Sequence, residues 1–202
     1  STYEGIEPLA KDALHWIVPT PQKMEFKEGN YPLTETLRLN FGSFEVDRAF
    51  LSKQLQKGLR LKIALEQSAE AEIQLRKNPS LAEEAYQLNV TADEIEIQSA
   101  GTKGLFYGLQ SLHQLILVAE REGNGIPLVS IKDAPRFQNR GFMMDLARNF
   151  YPKEKIIQIL DYMAFYKLNL LDLRLSDDEG WRIEIEGLPE LTDIGGKRGF
   201  TH

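Results

Sequence analysis

Short segments with an apolar residue at every second position fill the chain between residues 36 and 99. A period of two places these side chains on one face of a β-strand and the intervening polar residues on the other. One solvated face is typical of antiparallel sheets, so the pattern predicts antiparallel strands. The apolar positions are Leu37, Leu39 and Phe41; Leu61, Ile63 and Leu65; Ile73 and Leu75; Tyr86, Leu88 and Val90; and Ile95 and Ile97. Upstream, residues 17–33 mix prolines with alternating apolar residues, which indicates an extended segment with a turn at residues 28–30.

Two other stretches space their apolar residues as a helix does. Residues 46–59 and 101–121 place them three or four positions apart, which predicts amphipathic helices. In the second helix, Gly104 and Gly108 lie beside the apolar stripe and would let the helix pack closely against a sheet. Strands and helices together predict an α+β domain over residues 17–134, an antiparallel sheet with two helices, after a leader segment of residues 1–16.

The pattern changes at Asp133-Ala134-Pro135, which we interpret as a domain boundary. Residues 140–146 and 169–175 are strand-like, and Pro152 suits the first turn of a helix between them. The apolar face of that helix is predicted to be Ile156, Ile157, Leu160, Met163 and Ala164. Such a βαβ unit requires a parallel sheet. Because a complete (β/α)₈ barrel takes about 250 residues, we expect residues 135–202 to form the first βαβ unit of an incomplete barrel.

Composition argues against several classes of function. The formal net charge is −6 without a visible basic face, so nucleic acid is not expected as a partner. No apolar run reaches the about 18 residues of a membrane span. There is no cysteine, and His15, His113 and His202 do not have metal-ligand spacing, so neither a metal nor a cofactor is expected. The glycosylation sequon at Asn89 falls on a predicted strand, and we interpret it as a chance match.

A cluster of acids follows the second strand of the βαβ unit. Ser176-Asp177-Asp178-Glu179 precede Gly180 and Trp181, and the carboxyl ends of parallel strands are where α/β proteins carry their sites. These carboxylates could bind sugar hydroxyls, act as acid or base, or hold a cation, with Trp181 stacking on a pyranose ring. The alternative is a capped, solvated loop.

Charged residues also occur within the two strands. Asp172 and Arg174 fall on one face, either as pocket-lining residues inside a barrel or as a structural ion pair. Arg140 begins the first strand and Asp145 ends its apolar part. By pattern alone, Asp145 is nearer the expected site, whereas Arg140 could be a boundary residue paired with an acid.

The string RGFMMDLARNFYPKEKIIQILDYMAFYKLNLLDLRLSDDEGWRIEIEGLPELTDIG resembles the opening of the catalytic barrel of the β-N-acetylhexosaminidase family of glycoside hydrolases. The matching motifs are Arg140 to Asp145, Tyr151-Pro152, Lys167-Leu168-Asn169 and Asp177 to Arg182. Upstream, IVPTPQKMEF, EAYQLNVTADEIEIQSAGTKGLFYGLQSLHQLI and DAPRFQNRG resemble the family's N-terminal α+β domain. The resemblance covers almost the whole chain.

The resemblance implies an exo-acting enzyme that removes terminal β-linked N-acetylhexosamine from glycans. Such enzymes use substrate-assisted catalysis: the acetamido oxygen of the sugar attacks the anomeric carbon, a glutamic acid protonates the leaving oxygen, and the preceding aspartate orients the acetamido group. In the family this Asp-Glu pair follows the fourth barrel strand. We therefore expect no catalytic residue in this chain, do not assign that role to Asp178-Glu179, and expect the chain to be an inactive fragment.

Of the family's substrate contacts, the arginine of the first strand maps onto Arg140, which the resemblance thus favours as a sugar-binding residue. Asp145, Asp172, Arg174 and Asp177 are predicted to line the pocket. The family usually carries His-x-His where this chain has Asp172 and Arg174, so the pocket lining differs. A periplasmic or extracellular location is expected from the family and from a start at Ser1 without Met.

Two other functions stay open at this point. One is a non-catalytic module that binds carbohydrate or a protein through its sheet. The other is a related glycosidase that shares the N-terminal domain and cleaves uronic acid glycosides. We also expect the unpaired edges of the two barrel strands to allow self-association.

Overall fold

The computed structural model describes residues 16–197, so the predicted leader segment lies outside the described residues except for Trp16. The chain divides between Arg136 and Phe137 into two compact units. None of the helices in the described range is both long enough and apolar enough to cross a membrane.

The first unit is a seven-stranded sheet with two helices. Its elements are β1 (Lys23–Tyr31), β2 (Thr36–Asn40), α1 (Arg48–Gln56), β3 (Lys62–Glu66), β4 (Ile73–Lys77), β5 (Tyr86–Val90), β6 (Ile95–Ser99), α2 (Thr102–Glu122) and β7 (Ile126–Asp133). The strand order is β1-β7-β5-β6-β4-β2-β3. Strands and helices therefore occur where the apolar spacing predicts them, with β7 as an additional strand.

The sheet is mixed, and the prediction of an antiparallel sheet is wrong. Strand β2 pairs in parallel with β3 and β4, and β4 pairs in parallel with β6, whereas β1, β5, β6 and β7 form antiparallel pairs. Helix α1 carries the chain back between β2 and β3, which makes them parallel. Strand β4 pairs with β2 only at Leu39 and Asn40, so it starts where β3 ends. The short connection at residues 67–72 therefore suffices.

The predicted turn at residues 28–30 is also wrong. Strand β1 runs through this segment, and its register against β7 shifts between Phe26 and Asn30. Gly29 adopts a φ of 102° at this irregularity, a conformation that glycine takes without the strain of a Cβ. Glycine at this position marks a β-bulge rather than a reversal of the chain.

The helices pack on the apolar face of the sheet. The predicted apolar positions of the strands are buried there, apart from the half-buried Leu65, and α2 contacts β5, β6 and β7. A Cβ on Gly104 would lie 2.2 Å from the carbonyl oxygen of Ala85, and one on Gly108 would lie 2.7 Å from Cγ2 of Ile97. The predicted close approach at both glycines is thus confirmed.

The opposite face of the sheet is polar. Asn40 donates to the side chain of Gln74 at 2.8 Å, and Ser130 donates to Asn89 Oδ1 at 2.7 Å. Asn89 is half-buried in the centre of the sheet, between β6 and β7. This place agrees with the interpretation of its sequon as a chance match.

The second unit begins with two parallel strands joined by a helix. Its elements are β8 (Gly141–Asp145), α3 (Lys153–Phe165), β9 (Leu170–Arg174), the two-residue strands β10 (Ser176–Asp177) and β11 (Gly180–Trp181), and α4 (Glu190–Asp193). The register of β8 with β9 runs from Gly141 opposite Leu170 to Asp145 opposite Arg174. The predicted βαβ unit and its parallel strand pair are confirmed.

Two details of α3 differ from prediction. Pro152 is the extended N-cap residue rather than part of the first turn. Met163 is buried, but Ile157 and Leu160 are 48% and 43% exposed, so the predicted apolar face is not buried as a whole. A βαβ unit offers this helix only one sheet surface, which cannot cover a wide apolar stripe.

Candidate functional site

The carboxyl ends of β8 and β9 lie side by side. Asp145 and Arg174 are direct neighbours in the register, and each ends its strand. The carbonyl oxygen of Arg174 accepts hydrogen bonds from the backbone N–H groups of Leu146 at 2.9 Å and Ala147 at 3.2 Å. The end of β9 therefore holds the start of the loop after β8.

Asp177 is the centre of a charged cluster at this place. Its side chain is only 2% exposed, and its Oδ2 forms ion pairs with Arg174 and, at 3.1 Å, with Nη2 of Arg148. Arg148 also faces Asp145, with 3.6 Å between Nη1 and Oδ2, and its backbone N–H donates to Asp145 Oδ1 at 3.0 Å. We call Asp145, Arg148, Arg174 and Asp177 the charged cluster. Two guanidinium groups offset the cost of burying the Asp177 carboxylate.

Asp172 stands apart from this cluster. It lies on the same face of β9 as Arg174, one alternation earlier, and is exposed. Among the described residues Arg174 pairs with Asp177 instead, so the predicted alternative of an Asp172–Arg174 ion pair is wrong. Asp172 is thus an exposed carboxylate on the strand face that leads to the charged cluster.

Arg140 lies at the opposite end of the strands. The five residue steps from Arg140 to Asp145 span about 16 Å at the usual rise of a strand. The Nε of Arg140 donates to the carbonyl oxygen of Lys167 at 2.8 Å, and Nη1 donates to that of Phe137 at 2.7 Å. Its backbone N–H donates to Asn169 Oδ1 at 2.9 Å. In these contacts Arg140 joins the starts of β8 and β9, and its assignment to sugar binding stays a prediction.

The sequence reasoning missed Arg148. This residue follows Asp145 by three positions, a spacing at which a turn after a strand returns the side chain to the strand end. Its side chain is 51% exposed. A planar fork of donors, half open to solvent and held by two carboxylates, suits the recognition of neighbouring hydroxyl groups. The D-x-x-R spacing after an apolar strand was the available signal.

The acids after β9 divide into two environments. Asp177 is buried, whereas Asp178 and Glu179 are exposed at the tip of the β10–β11 hairpin. They line an open groove of about 550 Å³ together with Trp181, Glu190 and other residues. The loop alternative is therefore correct for the two exposed acids, and the buried acid belongs to the charged cluster.

Arg182 braces this hairpin. Its guanidinium donates to the carbonyl oxygens of Leu146 at 3.1 Å and Ala147 at 3.2 Å, and also to that of Gly196. A Cβ on Gly180 would lie 2.8 Å from the Ala147 carbonyl oxygen, so the hairpin and the loop after β8 are in close contact. Within residues 16–197, no three His, Cys, Asp or Glu side chains are grouped so that they could hold a metal ion.

Two family models match this chain and divide it between them. The model described as "Glycosyl hydrolase family 20, domain 2" matches residues 15–134, and "Glycosyl hydrolase family 20, catalytic domain" matches residues 137–202. The chain belongs to glycosyl hydrolase family 20. The resemblance to β-N-acetylhexosaminidases identified from the sequence is therefore confirmed, and the charged cluster lies in the part matched to the catalytic domain.

Relatives of this chain are named as a chitobiase or as beta-hexosaminidases. The N,N'-diacetylchitobiase of Vibrio harveyi is 38% identical over 99% of this chain and 23% of its own length. The beta-hexosaminidase of Vibrio furnissii is 36% identical over 95% of this chain and 31% of its own length. The chain thus spans about a quarter to a third of these relatives.

Solved structures of family 20 enzymes share the fold. The exo beta-N-acetylglucosaminidase of Vibrio harveyi in complex with N-acetylglucosamine superposes with a TM-score of 0.77 and 31% identity, covering 90% of this chain and 28% of that one. The beta-N-acetylhexosaminidase of Bacteroides fragilis gives a TM-score of 0.78 and 30% identity, covering 91% and 38%.

Proposed function

We propose that this chain is part of an exo-acting β-N-acetylhexosaminidase, which hydrolyses terminal β-linked N-acetylhexosamine from glycans. The observation that carries the proposal is the charged cluster at the carboxyl ends of two parallel strands, within the residues matched to the family 20 catalytic domain. That end of a parallel sheet is where barrel enzymes bind their substrates.

The second unit is proposed to be the first βαβ unit of a (β/α)₈ barrel. The parallel pairing of β8 with β9 supports this proposal. Apolar side chains that are exposed on the strands and on α3 support it as well. Met143 and Leu170 are more than half exposed on the strands, and Ile157 and Leu160 are exposed on α3. Further barrel elements would cover these surfaces, since a barrel has neighbours on both edges of every strand.

The proposed mechanism is substrate-assisted, with the acetamido oxygen of the sugar as the nucleophile. A glutamic acid that protonates the leaving oxygen needs a raised pKa, which burial supplies. Glu179 is exposed at a hairpin tip and lacks that environment. We therefore do not propose Asp178-Glu179 as the catalytic pair, and we propose that the activity requires a complete catalytic domain.

Two arginines compete for the role of sugar-binding residue. Arg140 is favoured by the family resemblance, but its guanidinium is occupied by backbone carbonyl oxygens at the starts of the strands. Arg148 lies at the carboxyl ends, half exposed, among the proposed pocket-lining residues Asp145, Arg174 and Asp177. The geometry supports Arg148 as the residue whose donors face a sugar, with Asp172 further along the same strand face.

The location and assembly of the protein are also proposals. The family resemblance favours a periplasmic or extracellular enzyme acting on N-acetylhexosamine-containing glycans. The free edges of β8 and β9 would let this 202-residue chain self-associate, which sedimentation at increasing concentration would reveal as a rising mass.

The deciding experiment measures release of the chromophore from an aryl β-N-acetylglucosaminide. A polypeptide with these 202 residues and a complete catalytic domain should be active, and the 202-residue chain alone should not. An aryl β-glucuronide is the control, and its cleavage in place of the amino sugar would indicate a related glycosidase. Activity of the short chain would contradict the proposal and make Asp178-Glu179 the first pair to substitute.

In the same assay, Arg148→Lys and Arg140→Lys separate the two arginines. Loss of the planar fork at the sugar-binding arginine should raise KM by about tenfold or more, whereas the other substitution should act mainly on the melting temperature. A larger KM effect at Arg140 would return the role to that residue.

A further inference from the structure

Within the charged cluster, Arg174 connects the end of β9 to both the hairpin and the loop after β8. It is the last residue of β9, so its backbone is fixed by the strand pair, and its side chain forms an ion pair with Asp177 three residues later. Its carbonyl oxygen also accepts both N–H groups of Leu146 and Ala147. Arg174 thus contacts the hairpin by its side chain and the loop after β8 by its backbone.

Asp177 depends on two cations. Its side chain is 2% exposed, and both ion pairs use the same oxygen, Oδ2. If a buried carboxylate loses one of its cations, the free-energy cost of burying its charge rises. The carboxylate then moves toward solvent or water enters to solvate it. Because Arg174 is fixed by its strand, it sets the position of the Asp177 carboxylate.

Arg148 is the less constrained of the two cations. It lies in the loop after β8, and its side chain is 51% exposed. Of its two carboxylate contacts, the ion pair with Asp177 at 3.1 Å is closer than the one with Asp145, whose 3.6 Å separation is too long for a hydrogen bond. The direction of the Arg148 guanidinium therefore follows the position of Asp177.

From these contacts we infer that Arg174 is a positioning residue that acts through Asp177 to aim the guanidinium of Arg148 into the sugar-binding pocket. The inference rests on the proposed function only for the role of Arg148 toward the sugar. Arg174 fixes the carboxylate, the carboxylate fixes Arg148, and Arg148 presents its free donors to the hydroxyl groups of the terminal hexosamine. Arg174 thereby sets substrate affinity without touching the sugar.

The first test needs no enzyme activity. Carbon-13 and nitrogen-15 NMR of the 202-residue chain reports how fast each arginine guanidinium rotates, and Arg148→Lys assigns the Arg148 signals. In the wild type, the Arg148 group should rotate slowly, because a carboxylate holds it. In Arg174→Met it should rotate fast. The matched control is Arg76→Met, which breaks ion pairs to Glu94 and Glu96 in the other unit and should leave Arg148 slow.

The NMR outcome decides the physical part of the inference by itself. An Arg148 guanidinium that stays equally restrained in Arg174→Met would overturn it. Arg174→Lys keeps a cation near Asp177 and should restore part of the restraint. This variant also guards against loss of folding, which the melting curves of all variants would show.

The second test is kinetic and uses the polypeptide with a complete catalytic domain. Arg174→Met should raise KM for the aryl N-acetylglucosaminide about tenfold with little change in kcat, and in the Arg148→Lys background it should add less than about twofold. Arg174→Lys should lie between the wild type and Arg174→Met. Additive effects of the two substitutions, or a fall in melting temperature with an unchanged KM, would overturn the positioning role.

The two tests separate the inference from the function on which it rests. A wild-type enzyme that ignores every N-acetylhexosaminide, together with an Arg148 group released by Arg174→Met, would refute the function and keep the positioning. An active wild type, together with an Arg148 group unaffected by Arg174→Met, would support the function and refute the positioning role.

Discussion

The two units of this chain differ in how completely they bury their apolar side chains. In the first unit, residues such as Leu39, Ile73 and Ile97 have no exposed surface at all. In the second, Met143, Leu170 and several side chains of α3 are about half exposed, and only a few residues such as Met163 are buried. In both units the apolar spacing correctly predicts most of the longer strands and helices, so periodicity alone does not reveal this difference.

The difference follows from the number of layers that each unit contains. A seven-stranded sheet with two helices on one face encloses a core between them, and its other face is polar. A pair of parallel strands with one helix covers one side of the strands and leaves the other side and both edges free. The first unit is therefore stabilised by its own core, whereas the second has apolar surfaces that suit further neighbours.

The strongest test of this comparison makes the same substitution in both units. Leu39→Ala should lower the free energy of unfolding of the first unit by about 3 kcal/mol or more, because it leaves a cavity among fully buried side chains. Leu160→Ala should cost under about 1 kcal/mol, since Leu160 is 43% exposed. Urea unfolding followed by tryptophan fluorescence measures both.

The two tryptophans of the chain make this measurement specific to each unit. Trp16 lies in the first unit near Phe26, and Trp181 lies in the second. Leu39→Ala is measured with Trp181→Phe in the background, and Leu160→Ala with Trp16→Phe. Equal losses at the two leucines would contradict the view that only the first unit has a closed core.

A smaller effect is expected where α2 approaches the sheet. Gly104→Ala should lower the free energy of unfolding of the first unit by about 2 kcal/mol, because the added Cβ forces the helix away from the sheet. The added Cβ would lie 2.2 Å from the carbonyl oxygen of Ala85, a backbone atom that cannot rotate away as a side chain can. Gly101→Ala is the control, since a Cβ there meets nothing within 4 Å. A stabilising Gly104→Ala would show that the layers of the first unit are loosely packed.

The fold was predictable where a local period carries the information. Period two identifies a strand but is the same for parallel and antiparallel neighbours, so the direction of β2 against β3 and β4 was wrong. Strand β7 was overlooked although Leu128, Ser130 and Lys132 alternate with Val129 and Ile131. Pro127 and the apolar Leu128, which shares a face with Ser130 and Lys132, weaken the alternation that marks a strand.

The residues of the candidate site that lie at strand ends were predictable from the sequence, because the ends of the strands were. Asp145, Arg174 and Asp177 were placed correctly at the carboxyl ends, because each lies at or just after the end of a largely apolar strand. Arg148 was missed, since the return of a loop onto its own strand depends on backbone geometry that no period records. Arg140 was grouped with these residues by resemblance, but a residue that begins a strand lies at the opposite end of it.

Low pH should reduce the free energy of unfolding of the first unit by removing the charge of the Arg38–Glu72 ion pair. Hydrogen bonds from Arg38 lower the pKa of Glu72 to about 2, with the closest contact at 2.6 Å. Because the ordinary pKa is 4.5, this pair stabilises the folded state above pH 4.5, and the contribution is lost as the pH falls toward 2. Glu72→Gln should therefore cost about 1 kcal/mol near pH 6 and almost nothing near pH 2. A cost independent of pH would show that the pair contributes no charge interaction.

The smallest expected effect belongs to His113, and it sharpens the comparison because it acts on one unit only. His113 is buried in α2, its Nε2 lies 2.7 Å from the carbonyl oxygen of Lys57, and burial lowers its pKa from 6.5. Well above pH 6.5 the ring is neutral in both the folded and the unfolded state and adds no pH dependence. Below pH 6.5 the unfolded chain gains a proton before the folded one, so the first unit loses stability until the pH passes the lowered folded value.

The measurement is the urea midpoint of Trp16 fluorescence between pH 7.5 and 5, with Trp181 as the reporter of the other unit. The Trp16 midpoint should fall with pH, by less than about 1 kcal/mol in free energy, and His113→Gln should remove most of that slope. Trp181 should show no matching change, because the second unit has no histidine among its described residues. A parallel shift of both midpoints would mean that the two units unfold together, and the contrast between a closed core and an open one would then fail.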